Sequence, residues 1–320
     1  MNCLCCNKPL NKTASIYELN VQWHKKCIKN FFGTTSLPEL DISDDTLKQL
    51  AIESTNKGYT VPGVQKKLSL HLTEGKDPRL TLVNCPTGYI LKPQTEEYEN
   101  LPEAEYLVMQ MAKATGIKTV PFALIKMNEQ FAYITRRVDR IKQKDDVKML
   151  AMEDFCQLEE RLTQDKYKGS YERCAKLITR YSSRSGFDLS ELFLRLVFSF
   201  VVGNSDMHLK NFSLIETYEG ACEYVLSDAY DMLPVNAVLP EDNEQFALTL
   251  NGKKSNIRKK DFLVFAENIR IQKNVAEKII KDIVTREEKY FTMCDESYLP
   301  QKIKLVLKGI IKVRMEVLKI

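Results

Sequence analysis

The sequence predicts an α/β protein of the α+β type with two lobes, a smaller one rich in strands and a larger one rich in helices. Short segments of alternating apolar residues, bounded by turn residues, follow one another between residues 67 and 135. Apolar residues at helical spacing dominate the second half of the chain. A length of 320 residues, 44% of them hydrophobic, is ample for a large core. We therefore divide the chain into an N-terminal knuckle (residues 1–34), a small lobe (35–140) and a helical lobe (141–320).

Charge and hydropathy argue against two classes of partner. The formal net charge of +4 is small for this length, and no basic stripe with interleaved aromatic residues indicates direct nucleic-acid binding. No apolar run is long enough to cross a bilayer, and the first residues lack a signal-peptide pattern. We therefore expect a cytoplasmic protein, in which the nine cysteines are free thiols or metal ligands rather than disulfides.

The first cysteines have the spacing of a metal site. Cys3-x-x-Cys6 and His24-x-x-Cys27 together offer four ligands on two short turns, which suits a tetrahedral zinc ion. Four protein ligands leave no open position, so such a zinc would be structural. The alternative is a knuckle of reduced cysteines without metal.

The small lobe begins with a proline- and acid-containing connector over Thr34–Asp44 and a short helix over Thr46–Ala51. Strands are predicted at Lys67–Leu72, Leu80–Val83, Tyr89–Leu91, Val120–Lys126 and Gln130–Thr135. A helix is predicted from Pro102 to Gly116, because proline is tolerated in a first turn and apolar residues then recur at helical spacing. The strands form the antiparallel sheet of the small lobe.

The helical lobe is organised around one buried helix and the polar loop that follows it. Leu189–Val202 is apolar on nearly every side, and Gly203–Ser213 then carries an acid, an imidazole, an ammonium and a carboxamide. Asp206 and Asn211 stand five residues apart, which is the spacing of the protein-kinase catalytic loop. The spacing alone is weak evidence, because an Asp and an Asn can equally satisfy loop amides.

Three other segments strengthen the interpretation. A small turn at Tyr59–Gly63 precedes a strand, Lys92 ends an apolar strand, and the segment Tyr224–Asp231 is a short strand followed by acids. The order of turn, lysine, Asp–Asn loop and acid is that of an ATP phosphotransferase.

The chain resembles the HipA family of bacterial toxin serine/threonine kinases from about Thr60 to Lys253. The resemblance rests on six motifs in order, namely Val61–Lys67, Ile90–Pro93, Arg137–Arg140, Met152–Gln157, Asn204–Ser213 and Tyr230–Asp231. Full-length HipA proteins carry an additional N-terminal subdomain that we do not find here, so the chain is more similar to the short HipT-type toxins. In those systems the missing piece is a separate small protein.

The resemblance implies a two-lobed protein-kinase-like fold and a role for each motif. Lys92 would hold the phosphates of ATP. By analogy with other kinases, Glu103 or Glu105 would pair with it; we choose Glu105, although the sequence does not separate the two. Asp206 would align the substrate hydroxyl, and Asn211 with Asp231 would hold magnesium. Composition and spacing leave Asp228 open as an alternative metal ligand to Asp231. His208 and Lys210 would support the loop or the transferring phosphate, or else pair with Asp228 or solvent.

The resemblance also implies the rest of the nucleotide site. Cofactor contacts are expected from Thr60, Val61, Gly63, Gln65, Lys67, Arg136 and Val138, the last two at a hinge where backbone groups meet adenine. Thr60 stands where HipA-type loops carry an autophosphorylated hydroxyl, and its modification would eject the loop from the nucleotide.

Partners follow from the same resemblance. We expect a protein substrate in translation, such as an aminoacyl-tRNA synthetase, and a small antitoxin that supplies the absent subdomain and the DNA-binding function. Two other functions remain open, namely an inactive kinase-fold binding module in a toxin–antitoxin complex and a small-molecule or lipid kinase of related fold.

Several residues of the helical lobe are expected to be structural. Gln164–Arg173 is a polar segment near the substrate, within which Tyr167 and Lys168 are interpreted as ordinary surface residues. The isolated cysteines are expected to be small buried hydrophobes, namely Cys156, Cys174 and Cys222. Core-facing helices are predicted at Leu263–Ile269, Val275–Val284 and Ile303–Val317.

Overall fold

The computed structural model describes residues 1–11, 14–40, 42, 67–73, 77–82, 88–143, 146–239 and 241–320. The chain divides into two compact units, the first comprising Met1–Tyr106 with Val120–Arg137 and the second Leu107–Thr119 with Val138–Ile320. Four predicted nucleotide contacts, Thr60, Val61, Gly63 and Gln65, lie outside the described residues, as does the helix predicted over 46–51.

The first unit is built on a six-stranded sheet. Its strands are β1 (Glu39–Leu40), β2 (Leu68–Leu72), β3 (Arg79–Thr81), β4 (Tyr89–Pro93), β5 (Phe122–Met127) and β6 (Gln130–Arg136). Their order is β1-β3-β2-β4-β6-β5, and all neighbours are antiparallel except β1 and β3. In β2 the expected alternation buries Leu68 and Leu70 and exposes Ser69. The predicted antiparallel sheet is therefore confirmed, although the connector predicted over Thr34–Asp44 contributes the short parallel strand β1.

Two short helices precede this sheet, α1 (Ile16–Val21) and α2 (Lys25–Phe32). Helix α1 begins with a capping box, in which Ser15 and Glu18 satisfy each other's backbone amides. Helix α2 packs on the sheet through Phe32, whose ring centroid lies 5.3 Å from that of Tyr89 in β4. Burial raises the pKa of Tyr89 to about 12.

Helix α3 (Leu101–Thr115) is the predicted helix after β4. Pro102 lies in its first turn, where the missing amide hydrogen costs nothing. Helix α3 ends before Gly116, which has a φ of +100°. This angle belongs to neither a helix nor a strand, and residues other than glycine rarely adopt it. Its residues through Tyr106 belong to the first unit and the remainder to the second.

The second unit is mainly helical. Its helices are α4 (Phe155–Leu158), α5 (Tyr171–Tyr181), α6 (Ser185–Val202), α7 (Val235–Val238), α8 (Lys259–Asn268), α9 (Lys273–Val284), α10 (Glu287–Asp295) and α11 (Gln301–Lys319). Its strands are β7 (Arg140–Gln143), β8 (Asp146–Met149), β9 (Met152–Asp154), β10 (Ser213–Glu216) and β11 (Tyr224–Leu226). The last three form an antiparallel sheet in the order β11-β10-β9, and β7 pairs with β8.

Helix α6 is the core of the second unit. From residue 192 to its end every side chain is buried except that of Leu194, and Arg195 is the charged residue of this stretch. The phenyl rings of Phe193 and Phe200 contact that of Phe262 from α8, with ring centroids 6.3 and 5.5 Å apart. The buried helix predicted from the apolar run is therefore confirmed, and it begins four residues earlier than expected. Among the helices that the structure describes, none is both long enough and apolar enough to cross a membrane.

The other predicted helices of the second unit are also confirmed, as α8, α9 and α11. Of the three isolated cysteines, Cys156 and Cys174 are buried as expected, whereas Cys222 is exposed. Cys222 lies in the turn between β10 and β11 with a φ of +53°, so the prediction that it is a buried hydrophobe is wrong. A chain reversal at the edge of a sheet leaves its residues in solvent whatever their hydrophobicity.

Candidate active site

The polar loop predicted to be catalytic begins at a glycine that the structure requires. Gly203 follows α6 with a φ of +73°, and a Cβ atom there would lie 3.1 Å from Cγ2 of Ile310. Both the left-handed backbone and the close side chain favour glycine. The next residue, Asn204, is fully buried, and its backbone amide donates to the carbonyl of Ser199 at 2.9 Å.

An arginine from the last helix supports the end of α6. Arg314 in α11 donates to the carbonyl oxygen of Phe200 at 2.7 Å and to Oδ1 of Asn236 at 2.6 Å. Burial lowers the pKa of Arg314 to about 10, so it stays protonated at neutral pH. A cation at a helix C-terminus is stabilised by the helix dipole and satisfies carbonyls that lack partners in the helix.

Asp206 and Asn211 form one hydrogen-bonded turn. Nδ2 of Asn211 donates to the backbone carbonyl of Asp206 at 2.7 Å, and the amide of His208 donates to the same carbonyl at 2.8 Å. The Asn211 side-chain nitrogen is therefore held by the loop, and the side-chain oxygen points away from this hydrogen bond. Asn211 is buried, whereas the side chain of Asp206 is 37% exposed. An accessible carboxylate beside a fixed carboxamide suits the roles that the sequence predicts.

The hydroxyl of Tyr167 donates to Oδ1 of Asp206 at 2.8 Å. Its ring meets that of His208 edge to face, with centroids 5.1 Å apart. Burial and the Asp206 carboxylate raise the pKa of Tyr167 above its ordinary range, which keeps the hydroxyl a donor. Tyr167 is at the surface as expected, with 36% exposure, but its hydrogen bond to Asp206 shows that it is not an ordinary surface residue. No local pattern in the sequence links two residues 39 positions apart.

Lys210 and His208 have partners that the sequence did not indicate. Nζ of Lys210 lies 2.6 Å from Oδ2 of Asp154, so its ion pair is with this residue and not with Asp228. Asp154 is also the N-cap of α4, where its Oδ1 accepts from the amide of Gln157. Nε2 of His208 lies 4.0 Å from Oδ2 of Asp206, beyond hydrogen-bond distance. Lys210 thus ties the loop Gly203–Ser213 to the start of α4.

Asp231 follows a tyrosine that is hydrogen-bonded to the loop Gly203–Ser213. The hydroxyl of Tyr230 donates to the carbonyl of Lys210 at 3.1 Å and lies 2.5 Å from Oγ of Ser213. Burial raises the pKa of Tyr230, so this phenol remains protonated. Asp231 itself has a φ of +55°, which is uncommon for a residue other than glycine and clusters at functional sites.

The competing acid, Asp228, lies three residues earlier, beyond the end of β11. The backbone around it is fixed, because the buried guanidinium of Arg195 donates to the carbonyl of Ser227 at 2.8 Å. The amide of Ala229 donates to the carbonyl of Lys118 at 2.7 Å. These bonds hold the segment that carries both acids, and they do not by themselves choose between them.

The first unit holds a buried ion pair. Nζ of Lys92, at the end of β4, lies 2.5 Å from Oε1 of Glu105 in α3, and the two side chains are only 3% and 2% exposed. Nζ of Lys92 also lies 5.2 Å from the ring centroid of Tyr133. The choice of Glu105 over Glu103 as the partner of Lys92 is confirmed. Oε1 of Glu103 instead accepts from Nδ2 of Asn100 at 3.1 Å, and burial raises the pKa of this carboxyl.

Three further predicted nucleotide contacts lie within the described residues. Lys67 is exposed immediately before β2, and Arg136 ends β6 with its guanidinium donating to the carbonyl oxygen of Asn30 at 3.4 Å. Val138 begins the main segment of the second unit. Their contacts with a nucleotide remain predictions.

The cysteine and histidine residues singled out in the N-terminal region come together. One ligand atom from each of Cys3, Cys6, His24 and Cys27 lies within 4.8 Å of the others. Nδ1 of His24 lies 3.5 Å from Sγ of Cys6 and 3.8 Å from Sγ of Cys27. A tetrahedral zinc ion with ordinary bond lengths has nitrogen–sulfur edges of about 3.6 Å. The four residues therefore fit this ion in both chemistry and spacing.

Hydrogen bonds between thiols shift the pKa values of this cluster. Those with Cys27 and Cys6 lower the pKa of Cys3, those with Cys27 and Cys3 raise the pKa of Cys6, and those with Cys3 and Cys5 raise the pKa of Cys27. The backbone amide of His24 also donates to Sγ of Cys3, with a distance of 3.4 Å. Backbone donation to a cysteine sulfur stabilises the thiolate that a metal requires.

Comparisons with known proteins identify the family to which the chain belongs. The family model of the HipA-like C-terminal domain matches residues 59–290. A protein of Haemophilus influenzae named putative kinase is 30% identical over 278 residues, which cover 79% of this chain and 80% of that protein. The putative kinase Y4mE of Sinorhizobium fredii is 30% identical over 207 residues, and the matched part is 63% of this chain and 48% of that protein.

Two solved structures share the fold. One is HipA of Shewanella oneidensis, determined in complex with HipB and operator DNA. The match covers 82% of this chain and 67% of the HipA chain, with a TM-score of 0.66 and 18% identity. The proinflammatory kinase CtkA of Helicobacter pylori matches 72% of this chain and 86% of its own with a TM-score of 0.52 and 15% identity. The α/β kinase-like fold predicted from the sequence is thus confirmed, and the chain belongs to the HipA-like family.

Proposed function

We propose that this protein is an ATP- and magnesium-dependent serine/threonine protein kinase and the toxin of a HipA-type toxin–antitoxin system. The observation that carries the proposal is the buried ion pair of Lys92 and Glu105. Removing two charges from water costs several kcal/mol for each ion, so such a pair is poor evidence of stability alone. In protein kinases a strand lysine paired with a helix glutamate is required for activity. The pair therefore favours phosphoryl transfer.

The second unit supplies the groups that this chemistry needs. We assign Asp206 to align the substrate hydroxyl, because its carboxylate is accessible on a fixed turn. Asn211 and Asp231 would hold magnesium, since both offer the oxygen ligands that this ion prefers. When bound, magnesium neutralises charge on the phosphates. Lys92 would bind the same phosphates, and His208 and Lys210 would support the loop.

The remaining nucleotide contacts are proposed from the family resemblance. Thr60, Val61, Gly63, Gln65 and Lys67 would form the loop over the phosphates. Autophosphorylation of Thr60 would add about two negative charges beside those of ATP, so the modified loop would be repelled. Adenine would meet backbone groups near Arg136 and Val138.

Partners are proposed from the relatives. The HipA protein of Shewanella oneidensis was determined with HipB and operator DNA. We infer that this chain likewise acts with a small antitoxin protein, which would contribute the DNA-binding function. The substrate would be a protein of translation, with an aminoacyl-tRNA synthetase as the first candidate.

A structural zinc ion is proposed for the N-terminal knuckle. Cys3, Cys6, His24 and Cys27 would be its four ligands, and they leave no position for a substrate. The knuckle is attached to the sheet, because the amide of Leu124 in β5 donates to the carbonyl of Leu4 at 2.9 Å. Zinc would therefore stabilise the unit that contains Lys92.

The test is transfer of labelled phosphate from ATP and magnesium into proteins of a bacterial lysate. We expect the wild type to label a discrete protein and the Asp206→Asn variant to label none, while both bind ATP. Asp282→Asn, a substitution of an acid in α9, is the matched control and should behave like the wild type. If the wild type binds ATP but labels neither itself nor a lysate protein, the chain is an inactive binding module. Labelling of lipid or small molecules alone would indicate a different substrate class.

A further inference from the structure

One contact of the proposed catalytic carboxylate comes from outside the loop that carries it. We propose that Tyr167 is a positioning residue, which holds the carboxylate of Asp206 in the orientation that accepts the substrate proton. This inference rests on the proposed kinase function. Its first support is the hydrogen bond of 2.8 Å from the Tyr167 hydroxyl to Oδ1 of Asp206.

Residues on either side of Tyr167 are hydrogen-bonded to the loop that carries Asp206, one through its backbone and one through its side chain. The amide of Leu209 donates to the carbonyl of Lys166 at 3.2 Å. On the other side, the hydroxyl of the buried Tyr171 donates to the carbonyl of Met207 at 3.1 Å. The segment 166–171 and the loop are therefore joined at two points, and Tyr167 lies between them in sequence. Such double anchoring fixes the donor with respect to Asp206.

The surroundings of the Tyr167 ring restrict its rotation. The imidazole of His208 contacts one edge, and Nζ of Lys166 lies 4.9 Å from the ring centroid. The tyrosine side chain has only two main torsions, so these contacts order it at a small cost in entropy. An ordered phenol can orient a carboxylate that is itself more than one third exposed. Without this donor the Asp206 side chain would rotate more freely about its own torsions.

Orientation of this carboxylate matters because phosphoryl transfer depends on positioning. A displacement of about 1 Å in a reacting group can lower a rate by about 100-fold. Loss of the Tyr167 hydroxyl should therefore lower kcat by about 10- to 100-fold. The KM for ATP should not change, because the contact involves neither Lys92 nor the proposed metal ligands.

The experiment compares Tyr167→Phe with the wild type in steady-state phosphate transfer, using the labelled substrate from the lysate assay or a peptide derived from it. Tyr181→Phe is the control, since Tyr181 is also a partly exposed tyrosine of the second unit, at 38% against 36% for Tyr167. Thermal unfolding of all three proteins detects any general loss of structure. The expected result is a lower kcat for Tyr167→Phe alone, with unchanged KM for ATP and unchanged Tm.

A second measurement tests whether Tyr167 acts through Asp206. In an Asp206→Glu background, which keeps a carboxylate but displaces it by one methylene from the Tyr167 hydroxyl, Tyr167→Phe should cause less than about a twofold further loss, because the contact that it removes is already broken. Equal losses in both backgrounds would overturn the proposal.

The remaining outcomes separate this inference from the proposed function. If the wild type is active and Tyr167→Phe has the same kcat, the positioning role is overturned and the proposed kinase function stands. A Tyr167→Phe variant faster than the wild type would also overturn it, and would show instead that the phenol competes with the substrate hydroxyl for Asp206. A wild type without phosphate transfer would overturn both proposals.

Discussion

The buried ion pair of the first unit allows stability and activity to be separated. Replacing Glu105 with Gln leaves the Lys92 ammonium, whose side chain is 3% exposed, without its charged partner. Breaking a buried pair on one side costs about 3–5 kcal/mol, because the remaining charge is buried without compensation. At about 2–4 °C per kcal/mol for a unit of this size, the Tm should fall by roughly 6–20 °C.

Removing both charges should have a different effect. In the double variant Lys92→Met, Glu105→Leu no charge is left at this position in the interior, and apolar replacements of buried pairs are often neutral or stabilising. We therefore expect the double variant to recover most of the lost stability. It should nevertheless transfer no phosphate, because the proposed phosphate-binding ammonium is absent.

The assay is thermal unfolding followed by labelled phosphate transfer on the same preparations. Glu277→Gln serves as the control, because its pair with Lys273 spans 3.9 Å and both side chains are largely exposed. Such exposed pairs contribute about 0–1 kcal/mol to stability, so Glu277→Gln should hardly change the Tm. A double variant as unstable as Glu105→Gln would refute the argument from buried charge. A stable double variant that still transfers phosphate would refute the role of Lys92.

Single groups elsewhere in the chain allow three further tests. Asp231→Asn should weaken magnesium-dependent ATP binding by about tenfold or more, whereas Asp228→Asn should not; the reverse result in a binding titration would reassign the metal ligand. Zinc should copurify, and both a chelator and Cys27→Ser should lower the Tm; a metal-free protein with an unchanged melting curve would exclude zinc. Burial raises the pKa of Glu103 above about 4.3, which is the pKa of glutamate in an unfolded chain. The folded state therefore loses stability as the pH rises from about 4.3 through the raised pKa. Glu103→Gln should therefore raise the Tm at pH 8 relative to the wild type but not below about pH 4, and an equal gain at both pH values would contradict this prediction.

The sequence predicted best those helices and strands whose formation depends on residues within the same element. The periodicity of apolar residues located α8, α9 and α11, because burial of one helical face is a local requirement, and an apolar run too long for a typical strand located α6. The alternation in β2 and the residues around β4 likewise predicted the sheet. Glu103 and Glu105 could not be separated by the sequence, since both lie near the start of α3 and both are acidic, and it is the ion pair in the structure that identifies Glu105 as the partner of Lys92.

Contacts between distant segments could not be predicted in the same way. Lys210 pairs with Asp154, which is 56 residues away, although Asp228 is much nearer in sequence. The partner of Lys210 is determined by the packing of β9 and α4 against the loop Gly203–Ser213. No local sequence pattern predicts that packing. Tyr167 was overlooked for the same reason. A polar segment looks alike whether its tyrosine faces solvent or donates to a carboxylate.

The last helix shows that the proposed site depends on residues beyond the part of the chain that the family model matches. The family model ends at residue 290, whereas α11 spans Gln301–Lys319. Arg314 of that helix bonds the carbonyl of Phe200 and the amide oxygen of Asn236, and the backbone amide of Asn236 in turn donates to the carbonyl of Gly203 at 3.0 Å. A buried cation thus supports the end of α6, where the loop Gly203–Ser213 begins. The backbone that leads to Asp206 is therefore held, three residues before it, through a helix about a hundred residues later in the chain.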